Sequence, residues 1–193
     1  MRLTEIRFAG FGGQGVILAA SVIGKAATLH QNLFATMCQN FGPESRGGAC
    51  SAQLLISPEQ VLYPYVTQTD ILAVMSQEAY FKFAGELKPN GLMIVEEDLV
   101  KISDLPAEIR VYGIPATRLA EELGKKMVLN MVMVGAFTAV TKLLEPEAVR
   151  LAIAESVPGH MRDVNIRAFE AGFNYSLTSH NGAELLEAAL VIE

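Results

Sequence analysis

The sequence predicts a single three-layer α/β domain with a largely parallel sheet that can include a mixed edge. Three observations support this fold class. Strand-like apolar segments alternate with helical segments along the chain, a glycine-rich turn joins the first strand to the first helix, and 51% of the 193 residues are hydrophobic. This length is typical of one domain, so we expect residues 1–193 to form one unit with an aliphatic core.

The chain opens with a predicted strand, a glycine turn and a helix. Residues 6–8 are expected to end a buried strand, and residues 10–15 read GFGGQG, which fits the pattern G-x-G-x-x-G. An Ala- and Gly-rich helix is predicted over residues 14–29. Glycine allows a tight turn and the close approach of a ligand or another backbone. The helix opened by this turn offers free N–H groups and a positive dipole end to an anion.

The other predicted strands are short segments with apolar or alternating character. We expect these strands at residues 33–37, 49–56, 71–75, 92–95 and 109–114. Two segments between them are predicted to be irregular, namely a loop over residues 38–48 and a turn over residues 89–91, which read PNG.

The predicted helices carry recognisable start and stop signals. Ser76 is expected to cap a helix that continues to about residue 87, and Gly172 to close a short helix over residues 165–171. The remaining helices are predicted at residues 115–124, at 128–144, from 145 onward, and at 182–191, where the helix is amphipathic. The segment 128–144 contains Asn, Thr and Lys side chains and therefore predicts a buried helix rather than a membrane span.

Parallel strands would bring several polar loops to one edge of the sheet. In open α/β sheets, ligands bind at the carboxyl ends of the strands. We expect residues 10–15, 76–77, 96–98 and 115–117 at this rim, with residues 42–48 reaching the same area. The acidic residues 96–98 are predicted to form a solvated turn rather than an acid–base pair, because no nucleophile or base accompanies them.

Composition excludes several classes of function. The formal net charge is −6 without any Lys- or Arg-rich run, which argues against nucleic acid as the main partner. Cys38 and Cys50 are the only cysteines, too few for an iron–sulfur cluster, and no Cys/His spacing resembles a zinc site. The charged N-terminal segment leads directly into a strand, so we expect no signal peptide and a cytoplasmic location. The high apolar fraction also indicates surfaces that other subunits cover.

The first glycine motif does not by itself predict a dinucleotide site. The ribose-binding acid should lie about 20 residues later, but no Asp or Glu occurs between Glu5 and Glu44. No Arg that could serve an NADP site lies between Arg7 and Arg46 either. A P-loop is excluded because no Gly-Lys-Ser/Thr follows the glycines. Three interpretations remain open: a tight turn without a ligand, a turn against a phosphate, and a turn against the backbone of another chain.

Residues 42–48 read GPESRGG and form a second glycine cluster. Pro43 fixes one φ, the glycines allow positive φ, and Arg46 can present a guanidinium to an anion or a carboxylate. Local pairing of Arg46 with Glu44 or with a helix end explains the composition equally well. We assign no catalytic residue and no metal ligand. The candidate binding residues of the two loops are Gly12, Gly13, Gln14, Gly15, Ser45, Arg46, Gly47 and Gly48.

Together, the two glycine motifs resemble the gamma subunit of the 2-oxoacid:ferredoxin oxidoreductases, which corresponds to the gamma domain (domain III) of pyruvate:ferredoxin oxidoreductase. Residues 75–80 (MSQEAY), 112–117 (YGIPAT) and 130–132 (NMV) are similar to the same family. The resemblance covers residues 3–172. The Pro-Glu-Ser-Arg form of the second loop is most similar to the 2-oxoglutarate branch, while the pyruvate and 2-oxoisovalerate branches stay open.

The resemblance implies a multi-subunit enzyme that converts a 2-oxoacid, coenzyme A and oxidised ferredoxin into acyl-CoA, carbon dioxide and reduced ferredoxin. It places thiamine diphosphate and [4Fe–4S] clusters on partner alpha and beta subunits, with a delta subunit in some members, and no cofactor on this chain. This chain would have a structural role and would help to enclose coenzyme A through the candidate residues. The isolated chain would be inactive and could form a homodimer. The alternatives are a free-standing Rossmann-like nucleotide-binding oxidoreductase and a pure assembly subunit without a ligand.

Overall fold

The computed structural model describes residues 2–40, 49–61, 63, 65–66 and 68–179. Within these residues the strands are β1 (Thr4–Phe11), β2 (Phe34–Asn40), β3 (Ala49–Ser57), β4 (Thr69–Val74), β5 (Leu87–Glu96) and β6 (Arg110–Ile114). The α-helices of the same residues are α1 (Val16–His30), α2 (Gln77–Phe83), α3 (Ala116–Glu122), α4 (Leu129–Thr141), α5 (Pro146–Ser156) and α6 (Arg162–Thr178).

All six strands of the described part of the chain join one mixed sheet in the order β2-β3-β1-β4-β5-β6. β1, β4, β5 and β6 run parallel, whereas β3 is antiparallel to both of its neighbours, β1 and β2. Phe8 in β1 therefore lies between Ala52 of an antiparallel strand and Ala73 of a parallel one. The predicted largely parallel sheet with a mixed edge is confirmed.

Side chains that alternate along the strands divide the core into two layers. One face of the sheet, which includes Ile6, Phe8 and Ile94, packs against α1, α3, α4, α5 and α6 in the larger apolar core. The opposite face, which includes Leu72 and Met93, packs against α2 in a smaller core. Helices on both faces of a sheet give the three-layer α/β domain that the sequence predicts.

The helices α4 and α6 touch through their backbones at two glycines. A Cβ atom on Gly172 would lie 2.0 Å from the carbonyl oxygen of Val132, and one on Gly135 would lie 2.1 Å from that of Phe169. The prediction that Gly172 closes a short helix is wrong, because α6 continues past it to Thr178. This glycine serves close helix packing and not helix termination.

α4 is the most deeply buried helix of the larger core. All eleven residues from 130 to 140 are buried, which confirms the predicted buried helix, although it ends at Thr141 because Lys142 adopts a positive φ of 51°. None of the helices in the part of the chain that the structure describes combines the length and the apolar character needed to cross a membrane.

Two segments that the sequence predicts to be irregular contribute described residues to strands. Residues 38–40 are part of β2, because their backbones pair with β3. Residues 89–91 form an irregularity inside β5, where Asn90 has a φ of 61° and the register against β4 shifts. The backbone has the turn-like conformation that the sequence predicts, but β5 continues beyond it instead of ending there.

A further difference concerns the end of α2. The helix that Ser76 caps ends at Phe83 and passes into a single 3-10 turn, Ala84–Glu86. The C-terminal helix predicted over residues 182–191 lies outside the described residues, as does the second glycine loop.

Candidate functional site at the carboxyl rim of the sheet

The two central parallel strands meet at a topological switch point. α1, which follows β1, packs on the face of the sheet that carries Ile6 and Phe8. α2, which follows the neighbouring strand β4, packs on the opposite face over Leu72 and Val74. Connections that leave adjacent strands toward opposite faces open a crevice at their carboxyl ends, where open α/β sheets bind ligands. The first glycine turn lies at this crevice.

Left-handed backbone conformations explain two glycines of the turn. Gly13 and Gly15 have φ values of 97° and 73°, which only glycine adopts without strain. Gly15 also has no room for a side chain, because a Cβ atom there would lie 2.3 Å from Nδ2 of Asn130 on α4. Gly12 and Gly13 are exposed, and a Cβ atom on either would meet nothing within 4 Å. The outer surface of the turn is therefore open.

The amide of Gln14 closes the turn from inside. Its Oε1 accepts a hydrogen bond from the N–H of Phe11 at 2.6 Å, and its Nε2 donates to the carbonyl oxygen of Met75 at 2.8 Å. Of the predicted binding residues on this turn, Gln14 and Gly15 therefore make contacts within the protein. Gly12 and Gly13 remain accessible.

The start of α1 suits an anion electrostatically. The helix has 15 residues, begins after Gly15 without a side-chain cap, and carries no acidic residue in its first turn. In the described part of the chain, the backbone N–H groups of Gly12 and Gly13 donate no hydrogen bond. Unpaired N–H groups at the positive end of a helix dipole favour phosphate or carboxylate groups.

The strand ends that flank the second loop lie at the same rim of the sheet as the first glycine turn. Its candidate residues Ser45, Arg46, Gly47 and Gly48 lie outside the described residues. The flanking residues are described: Asn40 ends β2, and Ala49 begins β3 directly opposite Phe11. The prediction that the two loops share one rim stays a prediction for residues 42–48, whereas their flanks lie at that rim.

The ends of β5 and β6 form a separate polar group at the same rim. The prediction of a solvated turn is wrong for Glu96, which is fully buried (0% exposed) and whose Oε1 accepts from the N–H of Thr117 at 3.2 Å. Burial raises the pKa of the Glu96 carboxyl above its ordinary value, against the opposite effect of hydrogen bonds from the backbone. Glu97 and Asp98 are exposed, as predicted, and pair with Arg118 at 2.7 and 2.8 Å.

The role of Glu96 is therefore to join β5 to the start of α3. Its burial depends on a strand and a helix that follow it in the chain, so the local sequence EED gave no signal of it. The prediction that Ser76 caps α2 is confirmed, because its Oγ accepts from the N–H of Ala79 at 3.3 Å.

Residues for redox or nucleophilic chemistry are not assembled at the described rim. Cys38 and Cys50 are free thiols, and burial raises the pKa of Cys50, which disfavours its thiolate. Across the residues that the structure describes, no cluster of three or more His, Cys, Asp or Glu side chains could hold a metal ion.

Comparison with known proteins agrees with the sequence motifs. Residues 5–175 match the family described as pyruvate ferredoxin/flavodoxin oxidoreductase. The chain is 48% identical over 174 residues to the 2-oxoglutarate synthase subunit KorC of Methanothermobacter marburgensis, a match that covers 87% of this chain and 94% of that protein.

Two solved structures share the fold. The gamma subunit of a keto/oxoacid ferredoxin oxidoreductase from Geobacter sulfurreducens is 34% identical, with a TM-score of 0.80 over 91% of this chain and 99% of that one. The 2-oxoglutarate:ferredoxin oxidoreductase of Magnetococcus marinus, solved with 2-oxoglutarate, coenzyme A and succinyl-CoA, also gives a TM-score of 0.80 at 23% identity, over 97% of this chain and 32% of that one. The chain therefore belongs to the pyruvate ferredoxin/flavodoxin oxidoreductase family, within which it corresponds to the gamma subunit.

Proposed function

We propose that this chain is the gamma subunit of a 2-oxoglutarate:ferredoxin oxidoreductase. The complete enzyme would oxidatively decarboxylate 2-oxoglutarate with coenzyme A to succinyl-CoA and carbon dioxide, and two electrons would pass to ferredoxin. The observation that carries this proposal is the 48% identity to a 2-oxoglutarate synthase subunit over nearly the whole of both chains. The second glycine loop, which reads Pro-Glu-Ser-Arg, supports the same branch.

The chemistry would take place on partner subunits in the cytoplasm. Thiamine diphosphate and iron–sulfur clusters would be held by alpha and beta subunits, with a delta subunit in some complexes. Two cysteines in the whole chain cannot supply the four ligands of a [4Fe–4S] cluster. The contribution of this chain would be to support the complex and to help enclose coenzyme A.

The first glycine turn is the part of the described chain that suits coenzyme A. This ligand carries a pyrophosphate and a 3′-phosphate, and the exposed Gly12 and Gly13 carry backbone N–H groups just before the start of a helix whose first turn has no acidic residue. Arg46 would add a guanidinium, which pairs well with phosphate. The flanks of its loop, Asn40 and Ala49, lie at the same rim.

Purification from the native source tests the subunit role. We expect an affinity tag on this chain to recover larger partner subunits that contain iron and thiamine diphosphate. The purified complex should reduce ferredoxin with 2-oxoglutarate and coenzyme A at least about tenfold faster than with pyruvate or 2-oxoisovalerate, since a pocket built for a second carboxylate disfavours substrates that lack one. Recovery of the chain alone with a bound flavin or nicotinamide would instead establish the free-standing oxidoreductase.

A further inference from the structure

Gln14 occupies the crevice between the two central parallel strands. Its amide joins the end of β1, through the N–H of Phe11, to the carbonyl oxygen of Met75 just after β4, at 2.6 and 2.8 Å. The N–H of Met75 in turn donates to the carbonyl oxygen of Ala9 at 2.8 Å. The glycine turn is thereby tied to the neighbouring strand and is not an independent loop.

Gly10 leaves the space that the Gln14 amide fills. A Cβ atom on Gly10 would lie only 2.5 Å from Oε1 of Gln14 and 3.1 Å from Cβ of Met75. Any larger residue at position 10 would push the amide away from both of its partners. The first glycine of the motif and the glutamine therefore form one packed unit inside the turn.

From these contacts we infer that Gln14 is a positioning residue that holds the glycine turn in its binding conformation, with the Gly12 and Gly13 N–H groups outward. This inference rests on the proposed contact of the turn with coenzyme A. A ligand binds more weakly when the binding conformation is only partly populated, and its apparent affinity falls in proportion to that population. Gln14 acts on coenzyme A through the backbone of the turn, because both polar atoms of its side-chain amide are already hydrogen-bonded to the protein.

The test uses the assembled complex with Gln14→Met, which keeps the side-chain volume and loses both hydrogen bonds. We expect the KM for coenzyme A to rise about tenfold while kcat stays within about twofold, because the population of the bound-ready turn falls by that order. Hydrogen exchange of the Phe11 amide should accelerate by a similar factor. Gln14→Glu keeps an oxygen that accepts from the Phe11 N–H, so exchange of the Phe11 amide should stay slow in that variant. It serves as the second variant if the complex with Gln14→Met does not assemble.

Gln77→Met is the matched control. The Gln77 amide also makes two backbone hydrogen bonds, to the carbonyl oxygen and from the N–H of Lys101, at 3.1 and 2.7 Å. If both Met variants change the KM, kcat and melting temperature alike, Gln14 is merely structural and the inference is overturned. An unchanged KM in Gln14→Met would overturn it as well.

Gly12→Val separates this inference from the proposed function. A Cβ atom at position 12 would meet nothing within 4 Å, so a valine side chain there extends into open space at the outer surface of the turn. We expect it to raise the KM for coenzyme A at least about fivefold, because the phosphates lose access to the N–H groups. A raised KM in Gly12→Val with an unchanged one in Gln14→Met overturns the positioning role alone. An unchanged KM in Gly12→Val overturns the coenzyme A contact itself, and the inference with it.

Discussion

Replacement of Gly172 by alanine is expected to destabilise the protein by about 3 kcal/mol, because it overpacks a backbone contact in the core. The added Cβ atom would lie 2.0 Å from the carbonyl oxygen of Val132 and 2.8 Å from its carbonyl carbon. Neither atom is the flexible end of a side chain, so α4 and α6 would have to separate. For a chain of this size we expect the melting temperature to fall by about 6–12 °C in a thermal unfolding scan.

Gly85→Ala is the control for the substitution itself. A Cβ atom on Gly85 would meet nothing within 4 Å, and this glycine does not have a positive φ. We expect its melting temperature to change by less than about 2 °C, since only backbone entropy and local propensity differ. A Gly172→Ala variant as stable as this control would show that α4 and α6 do not touch through their backbones.

Removal of the Glu86 charge is expected to cost about 2–3 kcal/mol, because it leaves Arg7 buried without its ion pair. The side chain of Arg7 is only 4% exposed and pairs with Glu86. Its NH1 also donates to Oγ of Ser51 at 3.1 Å, and its guanidinium lies 4.5 Å from the centre of the Phe83 ring. These other contacts keep the arginine inside the fold, so Glu86→Gln should lower the melting temperature by about 4–12 °C.

Glu121→Gln provides a control of equal exposure. The side chains of Glu121 and Glu86 are both 42% exposed, but Lys126, which pairs with Glu121, is 78% exposed. Loss of such a surface pair should cost less than about 0.5 kcal/mol. The double variant Arg7→Met with Glu86→Gln should recover most of the stability lost in Glu86→Gln, because no buried charge remains. Equal effects of Glu86→Gln and Glu121→Gln would contradict this assignment.

Local sequence signals were sufficient for most of the fold. Alternation, apolar runs and helix caps predicted the strands and the α/β class, because these patterns are fixed by neighbours along the chain. Gly172 was misinterpreted because glycine both ends helices and permits close helix packing. Only the position of α4 in three dimensions distinguishes the two roles. The burial of Glu96 likewise depends on contacts with β6 and α3, which follow it in the chain: Glu96 pairs with Ile114 of β6 and accepts from the N–H of Thr117 in α3.

The candidate site could be predicted only in part. The glycine motif identified the turn and its rim, since a strand, a glycine cluster and a helix follow one another directly. The sequence could not predict which residues of the turn contact the protein and which stay exposed. The partner of Gln14 is Met75 and that of Gly15 is Asn130, and both lie far along the chain. Once those contacts are made, Gly12 and Gly13 stay exposed, and their N–H groups donate no hydrogen bond within the described residues.

Hydrogen exchange of the assembled complex, with and without coenzyme A, tests the central claim most directly. We expect saturating coenzyme A to slow exchange of the amides of residues 11–17 at least about tenfold, because bound phosphates shield them. Exchange of the Asn90 and Gly91 amides should not change, because the strand irregularity at residues 89–91 lies at the opposite end of the parallel strands. Arg46→Ala should weaken the affinity about tenfold, as expected for a charged phosphate contact. Unchanged exchange at residues 11–17 under saturating coenzyme A would contradict the account and favour a pure assembly subunit.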